Sequence, residues 1–337
     1  MKIIVDAFGG DNAPLEIIKG CVNARKKQDV DILLSGDTKT IKKVASENKI
    51  DLDGIELLQA DDVFSMETQP TEIIKSGKNT SMAVGLSALA EGRGDAFISA
   101  GSTGALLVGA TFIVKRIKGV KRPAIAAVLP SAEGPFILVD TGANVECTAP
   151  MLCQFAHLGN VYMQKVLDME QPRVALANIG SERTKGTKLQ IEAYEALEKM
   201  EGIHFTGNVE IRDIPFGKAD VVVADGFTGN VILKMYEGTA KMISNKVKAL
   251  FTKNLFTAIS YLGVHSGVKD FKEQMNYKKY GGAPIVGVRK TVFKAHGSSD
   301  AYAIENAILQ TIKCVENDIP KAIEAALSEE KNGTVSE

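Results

Sequence analysis

Two short stretches of the chain carry the same arrangement of residue types, and the chemistry they suit is the holding of an anion. DAFISAGSTGALLVG at 95–109 returns in outline as DVVVADGFTGNVILK at 220–234. In each, an Asp (Asp95, Asp220) opens an apolar run that ends in a Gly-x-Thr-Gly turn, Gly101 to Gly104 and then Gly226 to Gly229. Short apolar runs rich in Val, Ile and Phe read as buried strands, and the aliphatic residues after each turn read as helix starts. A helix beginning at such a corner aims unpaired backbone N–H groups and a positive dipole end past the carboxyl end of the strand. Oxyanions bind there. Ser102, Thr103 and Thr228 add hydroxyls to the two corners. Glycines in such places can also do no more than make the corner; the repetition of turn, hydroxyl and spacing is what favours a ligand.

Six further residues have types and positions that could serve chemistry. Lys185 lies just past the apolar run VALANIG at 174–180, in SERTKGTK, where the order Lys-Gly-Thr departs from the Gly-Lys-Ser/Thr of a phosphate loop. A lysine there either contacts a phosphoryl group or developing oxyanion, or is simply solvated. Asn230 stands where the first copy has Ala105. At the first turn of a helix its amide can donate to an oxyanion or cap the backbone locally. Asn144, in TGAN after FILVD, sits where ligands collect in open parallel sheets, or is a turn residue. His296, in KAHGSS, can shuttle a proton or complete a hydrogen-bond network. Asp6 and Asp11, beside Gly9 and Gly10, hold a ligand or make an Asx turn, the turn being favoured. No GxGxxG follows a strand and no G-x-S-x-G occurs, so the dinucleotide fingerprint and the usual mark of a serine acyl-enzyme are both missing.

The elements that must position these residues alternate strand and helix. Strand 2–7, helix 14–27 and strand 32–37 form a parallel-type unit. Helix 70–92 leads to the strand at 96, two strands occupy 123–140, and helices cover 150–168 and about 188–199. GGAPIVGV at 281–288 reads as a glycine turn before a last strand in 290–299, then a closing helix from Ala301 to Leu327 and a frayed tail at 328–337. The fold class is therefore α/β with a mainly parallel sheet, one domain over 1–327, with two lobes around a cleft left open.

Composition narrows the function. The 337 residues carry 40 basic and 41 acidic groups, so no global field favours nucleic acid. The four cysteines show no CxxC spacing, which argues against zinc or redox motifs, and no metal or cofactor is expected. Residues 96–114 lack formal charge, but Gly101 to Gly104 interrupt them, so they read as core rather than as a membrane span. The amino terminus is too short in apolar residues for a secretory signal, and a cytoplasmic location is expected. KRIKGVKRP at 115–123 reads as a solvated surface run. The stretch 246–280 differs: seven lysines face one Asp and one Glu, and apolar residues recur at three- and four-residue steps. Such a helix, with Lys253, Leu255, Ile259 and Leu262, suits an anionic lipid surface, an acidic protein or a dimer interface.

Taken together, VDAFGGDNAP, GDAFISAGSTGALL, RPAIA, VDTGANVECTAPMLCQFAHLGNVY, ALANIGSERTKG, ADVVVADGFTGNVILK, GGAPIVGV and KAHGSSD resemble the bacterial phosphate acyltransferase family of phospholipid synthesis (PlsX type), in order and over nearly the whole chain. Two departures touch the charge of the cleft: SER at 181–183 and IIKSGKNTSM at 73–82. The resemblance implies a Rossmann-like three-layer α/β/α fold related to isopropylmalate dehydrogenase and phosphotransacetylase. It also implies a homodimer that transfers a long-chain acyl group from acyl carrier protein to inorganic phosphate, giving acyl phosphate for glycerol-3-phosphate acylation. Transient contact with a membrane glycerol-3-phosphate acyltransferase and peripheral association with the inner face of the cell membrane follow from that role. The family's critical lysine and asparagine fall on Lys185 and Asn230. On this reading the two turns grip phosphate, Lys185 neutralises it, Asn230 stabilises the tetrahedral oxyanion and His296 is a proton donor. A short-chain phosphotransacetylase using coenzyme A and a non-catalytic anion-binding scaffold at the membrane are the alternatives.

Overall fold

The computed structural model describes residues 1–274 and 277–333; the side chains of Leu255, Tyr277, Lys278 and 329–333 lie outside what it describes. The chain begins β1 (Lys2–Asp6), α1 (Leu15–Lys27), β2 (Asp31–Gly36), α2 (Thr38–Glu47) and β3 (Ile55–Gln59). Helix α1 shows why these residues choose helix: Ile17, Ile18, Cys21 and Ala24 form one buried stripe, with Glu16 in the first turn and Arg25 to Lys27 in the last. That charge order complements the helix dipole. Next come α3 (Ser81–Ala90), β4 (Ala96–Ser99) and α4 (Thr103–Gly109), the last running on through a π-helical turn to Lys115. The middle holds β5 (Ala124–Ser131), β6 (Gly134–Val139), α5 (Ala149–Val166), β7 (Arg173–Asn178), α6 (Lys188–Glu198), β8 (His204–Glu210) and β9 (Val221–Val223). The remainder is α7 (Gly226–Phe251), α8 (Leu255–Gln274), β10 (Gly282–Val286), β11 (Thr291–Ala295), α9 (Ala301–Glu316) and α10 (Ile319–Gly333).

Among the described residues, eleven strands join one sheet in the order β3-β2-β1-β4-β11-β10-β5-β6-β9-β7-β8. Three neighbouring pairings in the middle, β11 with β10, β10 with β5 and β5 with β6, are antiparallel, and the rest are parallel. An odd number of reversals separates β4 from β9. The carboxyl ends of β1, β4 and β11 therefore lie at one edge of the sheet, and those of β6, β9 and β7 at the other.

Side chains alternate across the pleat, so each strand feeds two cores. Ile3, Val5, Ile98, Phe293, Val139 and Val223 pack with α1, α5 and α9 on one face. The opposite face is divided. Ile4, Phe97, Ile125 and Val292 meet α3 and α4, whereas Leu129, Leu138 and Val222 meet Ile232 of α7. Between those two clusters the face is left open.

Four elements escape the reading of the sequence. The edge strands β3 and β8 and helix α2 were not anticipated, and β10 replaces the expected glycine turn. Gly281, Gly282 and Pro284 argue against a central strand on type alone. The glycines are needed because their neighbours approach so closely: a Cβ at Gly281 would lie 2.0 Å from the backbone of Ala307, and one at Gly282 2.6 Å from the Lys294 carbonyl. The closing helix is two helices, and α10 continues to Gly333, beyond the point where a frayed tail was expected; 334–337 lie outside the described residues. The basic stretch folds as the far half of an α7/α8 hairpin. Its turn is fixed at Asn254, whose side chain accepts from the Thr257 amide at 3.0 Å while its own amide donates to Thr257 Oγ1 at 3.1 Å. Among the described residues, no helix is long and apolar enough to cross a membrane.

Candidate active site

A cavity of about 380 Å³ fills the gap between the two clusters. Strand β5 lays Ile125, Ala127 and Leu129 along one wall, at the two-residue spacing of a pleated face, and α7 lays Asn230, Leu233, Lys234 and Glu237 along the other. From Asn230 to Glu237 the helix rises about 10 Å, and Ile125 to Leu129 spans about 13 Å of strand. The cavity is thus elongated. One end has Asn230 and Thr141; the other has His296, Gly101 and Thr103, the exits of β11 and β4.

Lysine 294 stands at the second of these ends. Phe293 and Ala295 on either side of it are buried in the core of the opposite face, so alternation turns Lys294 into the cavity. Its ammonium donates to the Ala100 carbonyl at 3.3 Å and to that of Ala295. Burial, with the neighbouring Lys234 charge adding to it, lowers its pKa to about 8, against the pull of Asp6 and Asp11. Lys234 is itself ion-paired to Glu237 at 2.8 Å, and Glu237 lies 4.0 Å from His296 Nε2. The Ser298 amide donates to His296 Nδ1 at 3.2 Å, so in the neutral ring the proton sits on Nε2. Burial holds the pKa of His296 below its ordinary value, outweighing the Glu237 charge. Ser299 Oγ, buried in the same wall, has no hydrogen-bond partner among the described residues. Such an orphan is costly unless a ligand satisfies it. Two ammonium groups, an imidazole N–H and hydroxyls converge on one hollow with the carboxylates of Asp11 and Glu237, a donor set suited to an oxyanion, while Met66, Ile125, Leu129, Leu233 and Tyr280 give it apolar walls.

The residues singled out from sequence divide between this cavity and the framework around it. Asp11, Gly101, Thr103, Asn230 and His296 line it. Ser102 instead caps α4, its hydroxyl accepting from the Ala105 amide at 3.4 Å, and Gly104 packs on Pro70, where a Cβ would come within 2.8 Å. The second turn does not face the first, because β9 runs opposite to β4. Three of its four backbone donors are used inside the chain: the Gly226 amide donates to the Asn144 carbonyl at 2.7 Å, that of Thr228 to Asp225 Oδ1 at 2.8 Å and that of Gly229 to the Asp225 carbonyl at 2.8 Å. Thr228 Oγ1 donates to Asp225 as well. The corner packs α7 closely against 140–144. Asn144 is a turn residue: its side-chain amide donates to the Pro123 carbonyl at 2.8 Å and to Asp140 Oδ2 at 2.9 Å. Asp6 takes the turn role too, accepting from the Phe8 amide at 3.2 Å and from Ser99 Oγ at 2.6 Å. Lys185 follows β7, outside the cavity lining, with Glu182 Oε1 4.0 Å from its half-exposed ammonium. Lys294 and Lys234 were not singled out. The signal was present in KTVFKAHGSS, where a lysine interrupts the apolar face of a buried strand.

The packing role of the second turn makes a direct prediction. A Cβ at Gly229 would lie 1.8 Å from the Asp140 carbonyl oxygen. Gly229→Ala is expected to destabilise the fold by about 3 kcal/mol, the upper range for overpacking. Thermal or denaturant unfolding checks it, and a wild-type midpoint would contradict the assignment.

A family model described as "Fatty acid synthesis protein" matches residues 1–322. The chain belongs to that family. A phosphate acyltransferase of Alkaliphilus oremlandii is 45% identical over 328 residues, covering 97% of this chain and 98% of the relative. One from Thermoanaerobacter pseudethanolicus is 45% identical over 320 residues, covering 95% of each. This member of the fatty acid synthesis protein family is accordingly an acyltransferase that uses phosphate, and the non-catalytic scaffold falls away. A phosphotransacetylase of Streptococcus pyogenes matches the fold with a TM-score of 0.64 over 94% of each chain at 15% identity. At that identity the likeness bears on architecture alone, and it agrees with the Rossmann-like three-layer arrangement.

Proposed function

We propose that this phosphate acyltransferase moves a long-chain acyl group from the thioester of acyl carrier protein to inorganic phosphate, releasing acyl phosphate for phospholipid synthesis. The observation that carries the reading is the placement of Lys294, Lys234 and Asn230 on one cavity with apolar walls. Phosphate lies against the two ammonium groups, with Thr103 and His296 Nε2 as further donors. One phosphate oxygen attacks the thioester carbonyl carbon. The carbonyl electrons move onto oxygen, where the Asn230 amide donates to the oxyanion. Collapse breaks the C–S bond, and the thiolate leaves with its electron pair, taking a proton from water; His296, with its pKa lowered and its ring neutral, serves as a hydrogen-bond donor to phosphate instead. Phosphate is a weak nucleophile, and holding both reactants in line removes about 7 to 11 kcal/mol of barrier. Asn230 and Lys234 are one helical turn apart, so oxyanion and phosphate are served from one face of α7.

Lys185 remains in this reading on the strength of the family resemblance, as a charge near the Asn230 end, rather than through contact with the cavity. The homodimer rests on the same ground. The exposed Phe256, Ile259 and Leu262 of α8, with Lys253 in the preceding turn, support contact of the hairpin with an anionic membrane surface. Ile259→Glu with Leu262→Glu is expected to abolish binding to anionic vesicles while leaving soluble turnover intact. Co-sedimentation measures it, and unchanged vesicle binding would remove the membrane role.

Mass spectrometry of the products from acyl carrier protein and coenzyme A thioesters, each with and without phosphate, tests the function. Acyl phosphate formed from the carrier thioester, and only with phosphate, is expected. Short-chain acyl phosphate from coenzyme A alone would support the phosphotransacetylase instead. Wild-type turnover in both Lys185→Ala and Asn230→Ala would end the direct-attack mechanism.

A further inference from the structure

We propose that the exposed cations of 115–122 and 289–290 form the docking surface for an acidic carrier protein that presents its acyl thioester to the Asn230 end of the cavity. The inference rests on the proposed use of a carrier-borne donor and says where that carrier sits. Lys115, Arg116, Lys118, Lys121, Arg122, Arg289 and Lys290 are all exposed. None of the seven is in an ion pair recorded among the described residues, although Lys2, Lys19 and Lys234 each find a carboxylate. The sequence keeps acids away: no Asp or Glu occurs in 96–132 or in 281–299. A chain with net charge −1 thus concentrates an uncompensated positive field on one small surface.

The surface is fixed in shape. The Arg289 amide donates to the Lys115 carbonyl at 2.9 Å and its Nε to that of Arg116 at 3.1 Å, tying the two segments together. The Ile117 amide donates to the Gly287 carbonyl at 3.0 Å, and Gln154 of α5 holds Gly119 and Lys121 at 2.9 Å each. Arg116 is turned back onto the carbonyls of Val120 and Lys121. The backbone of the patch is therefore set before any partner arrives, and binding loses little entropy in ordering it.

Its position points to the donor rather than to lipid. Asn144 donates to the Pro123 carbonyl, and the Thr141 amide donates to the Ile125 carbonyl at 2.9 Å. Thr141 lines the cavity beside Asn230, so the patch adjoins that end. Helix α7 leaves this edge and reaches Glu237, near His296, at the other. It then runs about 20 Å further to Phe251. The exposed apolar hairpin tip and the cationic patch are on opposite edges of the sheet, so a bilayer gripped by the tip does not cover the patch. A carrier docked there points its thioester arm at the mouth beside Asn230.

The test is a triple variant, Lys118→Glu with Lys121→Glu and Arg122→Glu, assayed with two donors: the acyl carrier protein thioester and the uncharged acyl N-acetylcysteamine thioester. The KM for the carrier donor should rise roughly tenfold or more and lose most of its salt dependence. Turnover of the small thioester and the KM for phosphate should not change, which also verifies that the variant folds. Lys118→Arg with Lys121→Arg should keep wild-type carrier KM. An unchanged carrier KM in the triple variant, or equal loss with both donors, would overturn the inference. Loss of binding to phosphatidylglycerol vesicles with carrier KM unchanged would assign the patch to lipid and overturn it as well. If the wild-type protein does not turn over the carrier thioester at all, the donor assignment itself falls, and the docking surface with it.

Discussion

Lys294→Met is expected to lower kcat/KM for phosphate by roughly tenfold to a hundredfold, the loss that follows when a charge-assisted hydrogen bond worth about 1.5 to 3 kcal/mol is removed. The melting temperature should not fall, because an ammonium held in a partly buried, apolar strand next to a second lysine is not there for stability. Function and fold pull in opposite directions at this residue. Its pKa of about 8 adds a pH signature. The ammonium is the acid form, so the phosphate-binding species is present below pH 8 and is lost as the pH rises through that value. In the wild type, kcat/KM for phosphate should therefore decline above about pH 8 with one titrating group. Lys294→Arg keeps a charge at all accessible pH and should move that limb to higher pH even if its absolute rate is lower. Folding has the opposite sign: a lysine whose pKa is depressed in the native state binds fewer protons there than in the unfolded chain, so its contribution to stability improves as pH rises above 8. Steady-state kinetics across pH 6 to 10 measures the first effect. A flat profile would argue against Lys294 as the phosphate cation.

Asn230→Ala is the second large effect expected. Removing one oxyanion donor typically costs about 10²- to 10³-fold in kcat. The KM for phosphate should stay near wild type, since the amide acts on the carbonyl oxygen of the donor rather than on phosphate. Asn230 is exposed at the cavity wall and its side chain makes no hydrogen bond among the described residues; a Cβ at Gly142 would lie 3.6 Å from its Oδ1. Stability should accordingly be unaffected. A raised KM for phosphate with unchanged kcat would instead make Asn230 a phosphate ligand.

The legible part of this molecule was its local grammar. Apolar runs, glycine corners and helix stripes placed β1, α1, β2, β4, α5, β7 and β11 close to where they lie, because those signals come from residues near one another in sequence. The relation between the two Gly-x-Thr-Gly corners was not legible. It depends on the parity of antiparallel pairings across the middle of the sheet: β10, disguised by Gly281, Gly282 and Pro284, adds two that cancel, and the β5/β6 hairpin adds the third, which puts the corners on opposite edges. The same blindness explains the lysines. Lys185 follows a strand and matches the local pattern for a phosphate contact, whereas Lys294 gains its role only when β11 lies beside β10 and α7 crosses above them. Asn230 lines the cavity for a reason the sequence only partly supplies: its place at a helix start is legible, but that α7 forms a wall of the cavity is not.

The account turns on where phosphate sits, and the most direct measurement is a crystal soaked with tungstate, an electron-dense tetrahedral oxyanion, located by its anomalous signal. The predicted site has tungstate oxygens about 3 Å from Lys294 Nζ, within reach of Lys234 and His296. An ordered oxyanion at Lys185 or at the Gly226 corner, with none beside Lys294, would contradict it.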